Sequence, residues 1–92
     1  MLFRSKKIVS VIKPFIVNQN IFVYEDGNKI DALSAPLNSI QDILIETANK
    51  YNITEIELIG SKKYSKGIEN KIKETEMSKY NQNKINIKLI NN

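Results

Sequence analysis

The sequence predicts an α/β domain: a five-stranded mixed sheet with two helices on one face, in the order βββαβαβ. Three observations predict it. Short β-branched and aromatic runs fill the first third of the chain. A helical apolar period, a two-residue alternation, a second helical period and a second alternation then follow in turn. An Asp26-Gly27 pair separates two of the early runs and is the strongest short hairpin signal.

Residues 8–12, Ile-Val-Ser-Val-Ile, read as the first strand. Pro14 ends it or forces a bulge, because proline cannot donate to a ladder. Phe15-Ile16-Val17 is expected to continue that strand after the irregularity, and Asn18-Gln19-Asn20 to turn. Residues 21–24 and 29–33 are the second and third strands, antiparallel across Asp26-Gly27. Ser34-Ala35-Pro36 leads into a helix, with proline near its first turn and Ser34 or Asn38 as cap; Gln41 stands three residues beyond Asn38.

Leu37, Ile40, Ile43, Leu44, Thr47, Ala48 and Tyr51 form one helical stripe, opposite Asp42, Glu46 and Asn49, and Asn52 ends the helix. Residues 53–59 alternate as a fourth strand, with Ile56 and Leu58 on one face and Glu55 and Glu57 on the other. Gly60-Ser61 opens the second helix, Ser61 being the expected cap. Its expected buried stripe is Tyr64, Ile68, Ile72 and Thr75, and the pattern decays beyond Thr75. Gly67 inside this helix costs roughly 1 kcal/mol relative to alanine, which predicts close approach to a neighbouring backbone. Asn81-Gln82-Asn83 reads as a loop. Ile85, Ile87 and Leu89 alternate with Asn86 and Lys88 in a last strand.

This element order, with the strand–Gly60–helix junction, resembles the ribonuclease H-like superfamily over residues 8–90. The resemblance implies strand order 3-2-1-4-5 with the second strand antiparallel. It also implies where nuclease members of the superfamily carry metal-binding carboxylates: on the first strand, the first long helix and the end of the fourth strand. Here the first strand carries no acid, the fourth ends Leu58-Ile59-Gly60, and Glu46 falls on the outer helix face. A two-metal site needs converging acids, so nuclease chemistry is not expected.

Composition points the same way. One domain of 92 residues without cysteine must be held by packing alone. There is no His, Cys or Trp. Ser10, Ser34, Ser39, Ser61, Ser65 and Ser78 therefore have no imidazole to activate them. No catalytic residue, metal or cofactor is expected. No run is apolar enough to span a membrane and no signal-peptide pattern opens the chain, so a cytoplasmic protein is expected. Abundant Ile, Lys and Asn suggest an AT-rich genome, such as a low-GC bacterium or its phage. Small cofactor-free domains of that origin include inhibitors of host enzymes or defence systems and small assembly components.

Both crossovers must be right-handed, so both helices should cover one sheet face. The other face is then apolar at its centre, where Phe22 and Tyr24 stand, and polar at its rim, with Glu55, Glu57 and Lys88. That is the make-up of an interaction surface, and the expected function is non-enzymatic binding of a protein partner or a second copy there. The alternative cover for this face is the N-terminal arm, Met1-Leu2-Phe3.

The net charge is +4, distributed basic, acidic, basic along the chain. A second reading is therefore a nucleic-acid-binding domain using Arg4, Lys6 and Lys7 of the arm with Lys62, Lys66 and Lys73 of the second helix. Glu69 sits at spacings that pair with Lys66 and Lys73, and only one of the fourteen cations is Arg. Gly60-Ser61-Lys62-Lys63 could hold an anion at a helix start, although it lacks the Walker spacing and reads more simply as a capped turn. Asp42 and Glu46 share a solvent-facing helix surface, with Lys50 in reach of Glu46. Tyr51, Tyr64 and Tyr80 read as core or rim.

Overall fold

The computed structural model describes residues 5–78 and 85–91. The elements are β1 (Lys6–Ile12), β2 (Asn18–Glu25), β3 (Asn28–Pro36), a 3₁₀ turn (Leu37–Ser39), α1 (Ile40–Tyr51), β4 (Glu55–Gly60), α2 (Lys62–Ser78) and β5 (Asn86–Ile90). The sheet order is β3-β2-β1-β4-β5. β2 is antiparallel to both neighbours, whereas β1, β4 and β5 run parallel. The expected order and topology are those found.

Period-two side-chain alternation assigns each strand a buried face. Ile8, Ser10 and Ile12 of β1, Gln19, Ile21 and Val23 of β2, and Ile56 and Leu58 of β4 are all buried. They meet Ile40, Leu44 and Ala48 of α1 and Ile68 and Ile72 of α2 in one core. The two helices also touch each other, so both lie on this face. The outer face carries Val9, Val11, Phe22, Tyr24, Glu55, Glu57, Ile59, Lys88 and Ile90.

The β2–β3 hairpin turns on Asp26 and Gly27, both at positive φ (52° and 83°). That is the conformation a two-residue hairpin turn of the I′ type demands. The register slips beyond Val23, which pairs with Asp31 while Tyr24 pairs with Lys29. Ile30 is thus the extra residue of a bulge, which accounts for its exposure. Asn52 closes α1 in the left-handed conformation (φ 57°).

Several local expectations are corrected. Phe15-Ile16-Val17 does not extend β1; it belongs to the β1–β2 turn, and Asn18-Gln19-Asn20 opens β2 instead of turning. The cause is Gln19. Its carboxamide is buried, accepts from the Lys13 N–H (2.7 Å) and donates to the carbonyls of Lys13 (2.7 Å) and Ile16 (2.6 Å). One side chain thereby satisfies the backbone of the turn that precedes it. Ser34-Ala35-Pro36 remains strand, with Ala35 paired to Gln19. The helix that follows starts without a side-chain cap; Gln41 Nε2 instead donates to the Asn38 carbonyl (3.3 Å).

In α2 the buried stripe is Ser65, Ile68, Glu69 and Ile72, whereas Tyr64 is 45% exposed. A Cβ on Gly67 would meet nothing within 4 Å, so close packing is not its reason. The close approach is at Gly60, where φ is +108° and a Cβ would stand 2.9 Å from the Ile12 carbonyl oxygen. The expected loop at residues 81–83, and the side chain of Met77, lie outside the described residues.

Two stability outcomes follow. Gly60→Ala should lower the urea midpoint by the equivalent of about 1–3 kcal/mol, since alanine is strained at that φ and has backbone in its way. Gln19→Ala should cost roughly 1–2 kcal/mol, and hydrogen exchange at the Lys13 amide should accelerate more than at core strand amides.

Candidate interaction surfaces

The sheet register gathers the five residues expected at a protein interface. Phe22 pairs with Val9, Val9 with Glu57, and Glu57 with Lys88, in one row across four strands. Tyr24, Lys7, Glu55 and Asn86 form the next row. Val11, Ile59 and Ile90 form an apolar row across β1, β4 and β5. Among the described residues, no helix packs over this face.

Its charges are tied down in place. The Lys7 ammonium donates to Glu57 Oε2 at 3.1 Å across β1 and β4. Lys29 Nζ lies 5.1 Å from the centroid of the Phe22 ring. That contact covers the aromatic with an aliphatic stem and a cation held to its face. The expected cover, residues 1–3, lies outside the described residues.

The cations of the nucleic-acid reading are dispersed. Arg4 lies outside the described residues. Lys6 and Lys7 point to opposite faces of β1; Lys6 lies 3.8 Å from Glu25 and Lys7 is held by Glu57. Lys62 begins α2, past the end of β4, and β4 runs parallel to β1. It therefore stands at the end of the sheet opposite Lys6. Lys66 and Lys73 both bind Glu69, at 3.0 and 3.3 Å.

Glu69 is only 7% exposed, the most buried acid among the described residues. Its carboxyl is held below the usual value of 4.5, first by the hydrogen bond from Lys66, with Lys73 adding to it and burial opposing. On the other side of the core the Tyr51 hydroxyl donates to the Asp31 carboxylate. That bond lowers Asp31, helped by the Ala32 N–H, and together with burial it raises Tyr51. Sequence spacing found the Glu69 pairs; nothing in it paired Tyr51 with Asp31, which are brought together by β3 lying beside α1.

Asp42 and Glu46 are exposed, as their helical positions require, and Lys50 lies over the Tyr51 ring (5.2 Å). Ser61 precedes α2 and its carbonyl accepts from the Ser65 N–H at 2.9 Å. Among the described residues no three acidic side chains gather in a metal-binding group, and no helix is long and apolar enough to cross a membrane.

A further surface escaped the sequence reading. The β1–β2 turn (Pro14, Phe15, Ile16, Val17), the end of β3 and the 3₁₀ turn (Pro36, Leu37, Asn38), Gln41 of α1 and one side of α2 enclose an open groove of about 770 Å³. Phe15 is fully exposed there and Val17 is 74% exposed. The apolar run at residues 15–17 was the available signal. By composition alone such a run reads as strand.

No protein-family model and no curated protein matches the chain. A solved structure does match it: a protein from Bacteroides thetaiotaomicron VPI-5482 described as having an actin-like ATPase fold and unknown function. The TM-score is 0.64 over 96% of this chain, at 15% sequence identity. The likeness is one of fold. The chain spans 32% of that protein's length.

Glu69 generates a pH outcome. A carboxyl with a depressed folded pKa stabilises the fold above its unfolded value, here near 4.5, and that contribution disappears as pH falls through the folded value. Stability measured from neutral pH down to about pH 3 should therefore fall for the wild type. Glu69→Gln should start lower at neutral pH and lack this component of the acid loss.

Proposed function

We propose that this chain is a small, non-enzymatic protein-interaction domain that presents its helix-free sheet face to protein, in the first instance to a second copy. The observation that carries the reading is the pairing register. It sets Phe22 beside Val9, and Val11 beside Ile59 and Ile90, on a face that no described helix covers. Such an apolar centre within a polar rim is the anatomy of a protein interface.

Charge supports a second copy as occupant. The face holds Lys7, Lys29 and Lys88 against Glu55 and Glu57, so its two signs are nearly balanced. A balanced surface can meet itself about a two-fold axis without like-charge repulsion, and two-fold pairing is the commonest form of self-association. Size, the lack of imidazole and thiol chemistry, and the AT-rich composition fit an accessory protein of a low-GC bacterium or its phage, acting as an inhibitor or an assembly component.

Sedimentation velocity over a concentration series tests this. The wild type should show a monomer–dimer equilibrium. Ile59→Lys, at the centre of the apolar row, should shift dissociation by about tenfold or more, and Phe22→Ala should weaken it, both with the circular dichroism of the folded chain. A wild type that stays monomeric at every concentration removes the second copy as occupant. Variants that unfold would show those side chains to be core.

A further inference from the structure

The groove at the opposite end of α2 from Ser78 is a second site, independent of the sheet face. We propose that it binds a short acidic, amphipathic segment of a partner protein, with apolar anchors in the groove and carboxylates against its lysines.

Four observations support this. First, exposed apolar side chains are concentrated here. Of the five large hydrophobics that stand exposed among the described residues, Phe15, Ile16, Val17 and Tyr64 all line this groove, and the fifth, Ile30, is the β3 bulge residue. Single exposed apolar residues are ordinary, whereas a cluster around a concavity marks a contact surface.

Second, the wall is held in place. Gln19 fixes the turn by donating to the Lys13 and Ile16 carbonyls and accepting from the Lys13 N–H. The Ile16 N–H donates to the Lys13 carbonyl (3.1 Å), and the Leu37 N–H donates to the Val17 carbonyl (2.8 Å), which joins two sides of the groove. A wall already ordered in the free protein loses little entropy on binding.

Third, Gly67 lines the groove with nothing within 4 Å of where its Cβ would stand. A mid-helix glycine costs roughly 1 kcal/mol relative to alanine, and no packing contact accounts for it. What its missing side chain does is keep the trough open.

Fourth, the lining carries charge of one sign. Lys63 and Lys71 border the groove and, among the described residues, no Asp or Glu lines it. Lys66 and Lys73 are occupied by Glu69, whereas neither Lys63 nor Lys71 has an ion-pair partner among the described residues. Positive potential over apolar walls is complementary to a segment that alternates apolar and acidic side chains. A second copy would bring the same positive groove edge and be repelled. The aliphatic and proline walls suit side-chain anchors better than stacked bases, which need successive aromatic platforms.

The test is selection from a random peptide display library of about twelve residues, on the immobilised full chain, counter-selected against Gly67→Leu. Leucine there is a better helix former than glycine and fills the trough, so that variant should melt no lower than the wild type and yet retain no peptides. Enriched peptides should carry Asp or Glu around apolar residues. The best, fluorescein-labelled, should perturb the NMR signals of Phe15, Val17, Tyr64 and Ile68. Phe15→Ser, at a fully exposed site, should weaken it by about tenfold, and so should Lys63→Glu combined with Lys71→Glu.

The proposal is overturned if no peptide is enriched over the filled variant, if enriched peptides are neutral or basic, or if the perturbed signals lie elsewhere. It is equally overturned if a labelled single-stranded oligonucleotide shifts Phe15 and Tyr64 and no peptide displaces it. A sheet-face variant such as Ile59→Lys should leave peptide binding unchanged, so the two sites fail or stand separately.

Discussion

The structure depends on β1, where the sheet changes from antiparallel to parallel pairing. β1 takes β2 antiparallel on one edge and β4 parallel on the other. An antiparallel neighbour can be reached by a short turn, but a parallel one requires a crossover. From that single constraint come the hairpin-linked half (β1, β2, β3) and the helix-linked half (α1, β4, α2, β5). Because both crossovers have the same hand and the sheet grows outward from β1 toward β5, both helices fall on one face. At the junction the chains come close enough that only glycine fits at residue 60, opposite the Ile12 carbonyl.

One-sided cover sets the energetics. The core is built almost wholly from Ile, Leu, Val and Ala on the helix side, where each fully buried large side chain contributes about 1.5–3 kcal/mol. The polar groups within it are mostly paired: Ser10 Oγ donates to the Asn20 carbonyl (2.6 Å) and Thr47 Oγ1 to that of Ile43 (2.7 Å). α2 is the weaker of the two helices. Its buried stripe alternates Ile68 and Ile72 with Ser65 and Glu69, and Ser65 Oγ is buried without a partner among the described residues. An unsatisfied hydroxyl costs about 1–3 kcal/mol. The Lys66–Glu69–Lys73 cluster lets a carboxylate sit against the core at this position.

Much of this was legible in the sequence wherever one local rule acted alone. Asp26-Gly27 specified its turn, the seven-residue stripe from Leu37 to Tyr51 specified α1, and the alternation of Glu55, Ile56, Glu57 and Leu58 gave both the strand and its faces. The element order gave the topology. Legibility failed where a side chain satisfied backbone groups distant from its own. Gln19 lies within a polar triplet that reads as a turn, yet its carboxamide is buried under the preceding turn, and this pulls residues 18–20 into β2. Residues 15–17 then have nowhere to be buried, although their composition alone would place them in a strand. The same reversal hid the groove, since an apolar turn looks like a strand until its partners are known.

Charge separates the two surfaces more firmly than hydrophobicity does. Both offer apolar area, but on the sheet face Lys88 stands beside Glu57 and Lys7 is held by the same carboxylate. Among the described residues the groove lining carries Lys63 and Lys71 and no acid, while Glu69 is buried and bound by Lys66 and Lys73. That one carboxylate pairs with Lys66 and Lys73, which are exposed and do not line the groove, and it is thereby not available to Lys63 and Lys71. The positive charge along the groove is thus tied to how α2 packs. On the readings proposed above, the surface with both signs would meet a copy of itself, and the surface with one sign would take its opposite from another chain.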